Sequence, residues 1–381
     1  MKRLLAFLLA LSLVGACLFF LAPKPFSLAP APKLEPSTTP LFVKKTLPSA
    51  GTKSMHAATL SVLNDNYLVG AYFGGSAEGV GDVKIYTHLY NLKTQEWGQA
   101  LPLLSAPLLS QKAHEFVKIL GNPVLYATHN TLYLFVVGAS LGGWATSKIY
   151  MLCAPLKRVL EQLQHNQSPQ LDFIQTLPLS PFLNISHLVR TSPLPTDDGG
   201  FILPIYQELA RKTPLLLKFD PHARLESVIQ PNLLKQQLQP SLVPYQHCAL
   251  MAFRSYKRFD LYTQTCQTPL KWDPPQLSNL KNYDDSLNLF NVNGTLYLIY
   301  NAPLQEGYNS RSALMLAQFA SSLALPSYFK PLGILDFTQQ GGEVSYPATL
   351  IFKDQVHVLY TKDRQHIQHI IFNLAYLKSL P

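Results

Sequence analysis

The sequence is poor in charged residues and in cysteine, and it lacks several motifs that mark other functions. Only 14% of its 381 residues are charged and 47% are hydrophobic, which excludes a disordered chain. Its 4 cysteines form no CxxC pair, which argues against a zinc site. No GxGxxG, GK[ST] or HExxH motif occurs, so nucleotide-binding and zinc-protease functions have no support. We expect neither a metal nor another cofactor.

Positive charge is in excess but is not concentrated. The formal net charge is +9, yet no run of Lys and Arg is longer than a pair. No RNP, helix-turn-helix or zinc-finger spacing accompanies that charge, so nucleic acid is not an expected partner. A positive field attracts anions of other kinds, and an acidic sugar remains a candidate.

The N-terminus, residues 1–22, is predicted to be an export signal. Two basic residues precede a run from Leu4 to Ala22 in which Ser12 is the only polar side chain. The stretch LVGAC, ending at Cys17, resembles a bacterial lipobox, which predicts a lipoprotein signal. The same run is nearly long enough to remain as an uncleaved membrane anchor. Both interpretations place the rest of the chain outside the cytoplasm and attached to a membrane.

Proline dominates the next segment, residues 23–48, which begins PKPFSLAPAPKLEP. Proline at this density predicts an extended, semi-rigid linker. The linker is expected to hold one globular domain, residues 49–381, away from the membrane.

An internal repeat fills that domain. Six segments share a short apolar strand, a turn and a second apolar strand, and five of the turns contain Asn, Asp or Gly. Their starts lie 66, 65, 52, 46 and 60 residues apart, a spacing typical of propeller blades with insertions. The sequence therefore predicts an all-β fold, a six-bladed β-propeller. The segments begin at His56, Asn122, His187, Gln239, Asp285 and Ser345.

Two local features accompany the repeat. Residues 156–163 (LKRVLEQL) have helical spacing and are predicted to lie between the second and third blades. Cys153, Cys248 and Cys266 are expected to be buried thiols, and a Cys248–Cys266 disulfide is the open alternative.

The order of several fragments resembles the BNR-repeat sialidase (neuraminidase) family, in its predicted-neuraminidase branch. The resemblance runs from His56 to Leu377. Worn remnants of the family's Asp-box remain at Trp97 and Trp272. The fragments are HAATL, FGGSAEGVGDVKIY, GNPVLY, GGWATSKIY, PIYQE, QPSLV, NSRSALMLA, GGEVSYPATLIF and IQHIIFNLAYL.

This resemblance implies a chemistry and a set of residues. Sialic acid carries a carboxylate on its anomeric carbon, which arginines bind and which would repel a carboxylate nucleophile. The family therefore uses a neutral tyrosine as nucleophile, with a glutamate to take its proton and an aspartate as acid/base. By position, Asp82 is the implied acid/base, Tyr346 the nucleophile, and Arg254 and Arg311 bind the carboxylate.

Three positions depart from the family pattern. His56 stands where the first of three arginines is expected, Gln239 where the glutamate base is expected, and Thr361 where that arginine's partner is expected. Glu208 is the predicted replacement base, with Glu78 and Glu343 as alternatives. Glu343 is the weaker one, because three residues before Tyr346 places it on the opposite face of a strand.

The remaining candidates are substrate-binding residues. His56 and Glu78 are expected to contact the sugar, as are Gln239 and Asp285. Trp144 is expected either to stack on a sugar face or to pack in the core. The predicted function is a sialidase-like exo-glycosidase that removes a terminal sialic acid or related acidic sugar from extracytoplasmic glycans. The alternative is a catalytically inactive carbohydrate-binding propeller.

Overall fold

The computed structural model describes Leu4, Phe7 and residues 23–180, 183–320 and 327–381. The predicted export signal, residues 1–22, lies outside the described residues apart from Leu4 and Phe7. Within the described ranges, no helix is both long and apolar enough to cross a bilayer.

Six antiparallel sheets form the body of the chain, which is a six-bladed β-propeller as predicted. Each of the six repeat segments supplies the first strands of one sheet, two in five blades and three in blade III, so the periodicity in the sequence corresponds to the blades. The first strand of the chain is β1 (Phe42–Thr46). Blade I comprises β2 (Ser54–Asn64), β3 (Tyr67–Gly75), β4 (Lys84–Asn91), β5 (Glu96–Trp97) and β6 (Leu101–Ser105). Blade II comprises β7 (Ile119–Thr128), β8 (Thr131–Ala139), β9 (Lys148–Pro155) and β10 (Asp172–Thr176).

The other four blades repeat this arrangement, and the last one also uses the first strand. Blade III comprises β11 (His187–Val189), β12 (Leu194–Pro195), β13 (Phe201–Gln207), β14 (Thr213–Phe219) and β15 (Leu225–Ile229). Blade IV comprises β16 (Gln237–Tyr245), β17 (Cys248–Ser255), β18 (Phe259–Thr268), β19 (Lys271–Trp272) and β20 (Gln276–Asn282). Blade V comprises β21 (Asn288–Val292), β22 (Thr295–Ala302), β23 (Ala313–Phe319) and β24 (Phe329–Phe337). Blade VI comprises β25 (Val344–Phe352), β26 (Gln355–Lys362), β27 (His366–Asn373) and β1.

The ring is closed by the N-terminal strand. β1 pairs antiparallel with β27, with Phe42 opposite Phe372 and Thr46 opposite Gln368. It is the outer strand of blade VI, so both ends of the described chain contribute to one sheet. Pairing protects the edge of β27 from other chains. The propeller therefore begins before residue 49, the start expected from the sequence.

The proline-rich segment packs on the propeller instead of standing free as a spacer. Phe26 and Leu34 are 6% and 3% exposed. The Leu34 N–H donates to Asn293 Oδ1 at 2.9 Å, and Asn293 Nδ2 donates to the Leu34 carbonyl at 3.1 Å. The Ala29 N–H donates to the Pro195 carbonyl at 2.9 Å. Residues 23–34 thus cross the face of the propeller at which the innermost strands end.

In the described part of the chain, two α-helices and a 3₁₀ helix (Gly143–Thr146) connect strands, and a third α-helix follows the last strand. α1 (Ala106–Ala113) joins blades I and II and is capped by the Ser105 side chain. α2 (Leu156–Gln164) lies inside blade II, between β9 and β10, and buries Val159 and Leu163. Its predicted place between blades II and III was wrong, because the fourth strand of blade II was not recognised in the sequence. α3 (Leu374–Ser379) follows β27.

Cys248 and Cys266 form a disulfide that joins β17 to β18, with their Cα atoms 5.7 Å apart. The expectation of buried thiols is wrong for these two residues, because strand pairing brings positions 18 residues apart side by side. Cys153 is a free, half-buried thiol, and Cys17 lies outside the described residues.

A cluster of buried histidines lies between blades I and VI. His357 Nδ1 and His369 Nε2 are 3.0 Å apart, and Trp97 Nε1 donates to His369 Nδ1 at 3.1 Å. Burial lowers the pKa of His357 and of His88 to about 4. Burial, with His357 and Lys45 nearby, lowers the pKa of His369 well below its usual value. These side chains are therefore neutral in the folded protein at pH 7.

The histidine cluster predicts loss of stability in acid. Below a pH of about 6.5, the usual pKa of histidine, these histidines bind protons in the unfolded chain but stay neutral in the folded chain. Each of them therefore lowers the free energy of unfolding by up to about 1.4 kcal/mol for every pH unit. We expect the free energy of unfolding in urea to fall as the pH falls from 6.5 to 4. His357→Gln should lessen this slope, whereas the exposed His222→Gln should not. A slope unaffected by His357→Gln would contradict this account.

Candidate functional site

A β-bulge recurs near the start of four innermost strands. The register shifts by one residue in β2, β7, β16 and β25. One residue of each bulge has left-handed backbone, which non-glycine residues adopt at a cost of about 1–3 kcal/mol. The same strain therefore recurs at equivalent places in four blades. The four residues are Ala57 (φ 54°), Asn122 (φ 42°), Gln239 (φ 43°) and Tyr346 (φ 58°).

Tyr346 is surrounded by guanidinium groups. Its side chain is 8% exposed, and its hydroxyl accepts a hydrogen bond from Arg254 Nη1 at 2.9 Å. The guanidinium carbons of Arg190, Arg254 and Arg311 lie 5.3, 5.9 and 5.7 Å from the ring centroid. The predicted nucleophile and both predicted carboxylate-binding arginines therefore lie together.

Carboxylates from the connection between blades IV and V orient the two predicted arginines. Arg254 Nε donates to Asp284 Oδ1 at 2.8 Å. Arg311 Nε donates to Asp285 Oδ1 at 2.6 Å, and its Nη2 donates to the Asp284 carbonyl at 3.1 Å. Burial raises the pKa of Asp285, and the adjacent Arg311 opposes that rise. Asp285 thus contacts Arg311, and its Oδ2 has no partner among the described residues.

Arg364 adds a further guanidinium that the sequence analysis did not identify. It donates from Nη1 to Glu78 Oε2 at 2.6 Å, and its Nε lies 3.2 Å from Glu343 Oε1. Its backbone carbonyl accepts from the N–H of Met55, which precedes His56. The β26–β27 turn therefore brings an arginine beside the position where the first arginine was expected.

Glu343 lies within this arginine cluster. It is 3.5 Å from Arg311 Nη1 and 3.7 Å from His56 Nδ1, and it accepts from Ser345 Oγ at 3.0 Å. Strand alternation does not separate Glu343 from Tyr346 as predicted, because β25 begins after Glu343 and the bulge interrupts the alternation before Tyr346.

His56 is a buried, neutral side chain at the centre of the site. It is 1% exposed, and its ring centroid lies 4.2 Å from that of Tyr346. Burial, followed by the charges of Arg364 and Arg311, lowers its pKa well below the usual value. Neither ring nitrogen has a hydrogen-bond partner among the described residues.

Arg190, which was not predicted from the sequence either, holds the backbone on which Tyr346 lies. It is 2% exposed and donates to the carbonyls of Ala58 and Tyr346, at 3.0 and 2.5 Å, and to that of Pro347. Burial lowers its pKa to about 10. The guanidinium therefore joins blade III to the innermost strands of blades I and VI. The only available signal was its place in HLVR, at the start of the third repeat.

Gln239 contacts Tyr206 rather than Tyr346, and the charge of Glu208 also acts on Tyr206. Gln239 Nε2 donates to the Tyr206 hydroxyl at 3.2 Å, and its Oε1 has no partner among the described residues. Burial, followed by the charge of Glu208, raises the pKa of Tyr206. Glu208 pairs with Lys212 at 3.5 Å. Glu208, the predicted replacement base, is thus close to the site but forms an ion pair with Lys212.

Asp82 lies in a separate groove of about 680 Å³. Its side chain is exposed, and it accepts hydrogen bonds from the N–H and hydroxyl of Ser76 at 3.0 and 3.1 Å. No contact joins it to the arginines in the described ranges. Glu78, on the same loop, does reach them through Arg364.

Trp144 packs beside the site through a glycine. A Cβ added to Gly121 would meet the Trp144 ring at 2.6 Å, a distance that real contacts do not reach. Trp144 is half-buried against the core shared by blades II and III. It therefore combines core packing with a position next to Asn122, whose Nδ2 reaches Tyr206.

A polar cavity of about 410 Å³ lies beside the arginine cluster. Arg311 and Arg364 line it, together with Tyr283, Asp284, Asp285, Glu343 and Asp363. Two arginines and four carboxylates line it, so its walls offer both hydrogen-bond donors and acceptors to a polar ligand. In the part of the chain that the structure describes, no cluster of His, Cys, Asp and Glu is placed to hold a metal ion.

We expect Gly121→Ala to displace Trp144. The added methyl overfills the contact, which should destabilise the fold by about 1–3 kcal/mol and shift the tryptophan fluorescence. Gly81→Ala is the matched control, since its Cβ would meet no atom closer than 3.6 Å. Equal stability of the two variants would show that Trp144 is not held by this contact.

The comparisons with known proteins agree with this fold. A family model described as a BNR repeat-like domain matches residues 66–358. No curated protein matches the sequence.

A solved "Hadza microbial sialidase Hz136" shares 13% identity and a TM-score of 0.65, covering 89% of this chain and 69% of that one. A Trypanosoma rangeli sialidase in complex with sialic acid shares 11% identity and a TM-score of 0.61, over 91% of this chain and 60% of that one. A Dyadobacter fermentans protein of unknown function shares 10% identity and a TM-score of 0.62, over 87% and 97%. At these identities the likeness concerns the fold, and the match to residues 66–358 shows that the chain belongs to the BNR repeat-like domain family.

Proposed function

We propose that this propeller is a sialidase-like exo-glycosidase that releases a terminal sialic acid or related acidic sugar. The observation that carries the proposal is Tyr346, held in a strained left-handed conformation with Arg254 at its hydroxyl and two more guanidinium groups near its ring. A tyrosine suits an anionic substrate, because a carboxylate nucleophile would be repelled by the substrate's own charge.

In the proposed reaction, Tyr346 Oη bonds to the anomeric carbon while the bond to the leaving oxygen breaks. Arg254 and Arg311 bind the sugar's carboxylate, and Arg364 supplies the third guanidinium. The leaving oxygen takes a proton from a carboxylic acid of the β3–β4 loop, for which Asp82 in the neighbouring groove is proposed and Glu78, paired with Arg364, is the alternative. Water later releases the sugar from the tyrosine. The phenol proton passes to a carboxylate, for which Glu208 and Glu343 are the candidates on either side of the site.

Export is the second part of the proposal. Residues 1–22 would carry the chain out of the cytoplasm and attach it to a membrane by lipidation at Cys17 or as an uncleaved helix. A Cys248–Cys266 disulfide suits an oxidising compartment. Residues 23–34 lie on the propeller face opposite Tyr346, so the site would open away from the attached membrane. Retention of the full chain in the cytosolic fraction would refute this part.

Tyr346→Phe should abolish release of fluorophore from an aryl sialoside by the full-length chain in mild detergent. Removing the nucleophilic oxygen is expected to lower kcat more than about a thousandfold. Glu208→Gln and Glu343→Gln are measured in the same assay, and the variant with the larger loss of kcat identifies the carboxylate that accepts the proton. Turnover by Tyr346→Phe at the wild-type rate would refute the proposed role. Saturable sialoside binding by the wild type without release would instead identify a carbohydrate-binding propeller.

Asp82→Asn and Glu78→Gln form a matched pair, since each replaces one loop carboxylate with an amide. We expect Asp82→Asn to lower kcat about 10²–10⁴-fold, the usual contribution of a general acid. Glu78→Gln should mainly raise KM, because it removes a partner that orients Arg364. The reverse pattern, with kcat lost in Glu78→Gln alone, would transfer the acid/base role to Glu78.

A further inference from the structure

A group of cations borders the site on the side of blades III and IV. We call Arg211, Lys212, Lys235, Lys257 and Arg258 the basic patch. They lie on the β13–β14 loop, the connection between the two blades, and the β17–β18 loop. Arg211, Lys235 and Lys257 are exposed, and the other two are half-buried.

Backbone hydrogen bonds join these three loops into one surface. The Gln236 N–H donates to the Arg211 carbonyl at 2.8 Å, and the Gln237 N–H donates to the Lys212 carbonyl at 3.0 Å. The Tyr256 N–H then donates to the Gln236 carbonyl at 2.9 Å. The cations therefore occupy fixed backbone positions relative to one another.

An aromatic ring lies at the centre of the basic patch. The ammonium groups of Lys212 and Lys257 lie 4.5 and 5.2 Å from the centroid of the Tyr256 ring. Such contacts hold a lysine over a ring face. Phe259 and Tyr283 extend the aromatic surface toward the cavity, with their ring centroids 5.7 Å apart.

Negative charge near the basic patch is scarce. Glu208 is the one carboxylate paired with it among the described residues, through Lys212. The other four cations have no carboxylate partner in the described ranges, and the buried Nε of Arg258 has no hydrogen-bond partner there. The charge of this surface is thus left for an external anion to neutralise.

The basic patch is continuous with the proposed active site. Tyr256 follows Arg254 by two residues at the end of β17, and Arg254 bonds to Tyr346. Tyr283 borders the cavity that Arg311 and Arg364 line. A glycan whose terminal acidic sugar meets Tyr346 would therefore lie across the basic patch with its next units.

We propose that the basic patch binds a second negative charge on the same glycan, so that the preferred substrate is an acidic oligosaccharide rather than a single acidic sugar on a neutral chain. This inference rests on the proposed function for the direction in which the glycan lies. The charges attract the second acidic unit, and the aromatic surface accommodates its sugar ring.

The test compares a trimer of α2,8-linked sialic acid with the methyl glycoside of a single sialic acid. Binding is measured by calorimetry on the full-length Tyr346→Phe chain in detergent, so no turnover is required. A Lys235→Gln, Lys257→Gln, Arg258→Gln variant should weaken trimer binding about tenfold and change monomer binding less than about twofold. The difference should shrink in 0.5 M salt, which shortens the Debye length to a few ångströms. Lys271→Gln, Lys353→Gln, Lys378→Gln is the control, since these exposed lysines lie in β19, in the β25–β26 turn and in α3, outside the basic patch and the cavity lining.

The outcomes separate the two proposals. Trimer binding that depends on the basic patch, in a wild type that releases no sugar, would support the basic patch and overturn the hydrolase. If the wild type hydrolysed the aryl sialoside but the triple variant bound the trimer as tightly as the parent chain, the hydrolase would be supported and the role of the basic patch overturned. If the triple variant weakened binding of duplex DNA or anionic lipid vesicles as much as binding of the trimer, the inference would also be overturned. The basic patch would then be a surface that binds any polyanion.

Discussion

The arrangement of the site depends on the β-bulge near the start of the innermost strands. An unbroken strand would alternate its side chains between the two faces of a blade. The extra residue turns the backbone into the left-handed region at Ala57, Asn122, Gln239 and Tyr346. Asn122 and Gln239 then share the Tyr206 hydroxyl, while Tyr346 contacts Arg254. The strain is retained because neighbouring blades hold each bulge in place.

Arginine is the second constraint, since buried charges need partners. Arg254 and Arg311 find them in Asp284 and Asp285, and Arg364 finds Glu78 and Glu343. Arg190 donates instead to backbone carbonyls of two other blades, and its buried Nε has no hydrogen-bond partner in the described ranges. This pairing fixes the guanidinium groups in place, and polar atoms without partners remain at His56, Gln239 and Asp285.

Closure of the ring brings the two parts of the site together. β1 completes blade VI, so His56 on blade I comes to lie against Tyr346 and Glu343 on blade VI. These residues are nearly 300 positions apart in the chain. The contact is therefore a property of the closed propeller rather than of either blade.

The sequence by itself determined the six blades, because each repeat carries its own apolar alternation and turn residues. Through the family resemblance it also predicted Tyr346, Arg254 and Arg311, which the structure brings together, since these lie in fragments whose order along the chain is distinctive. It did not reveal Arg190 or Arg364, and it misjudged Glu343. Those three residues act through contacts between blades, which no local pattern records. Only the tertiary structure decided which charges meet, because ring closure and the bulges set distances between residues that are remote in the chain.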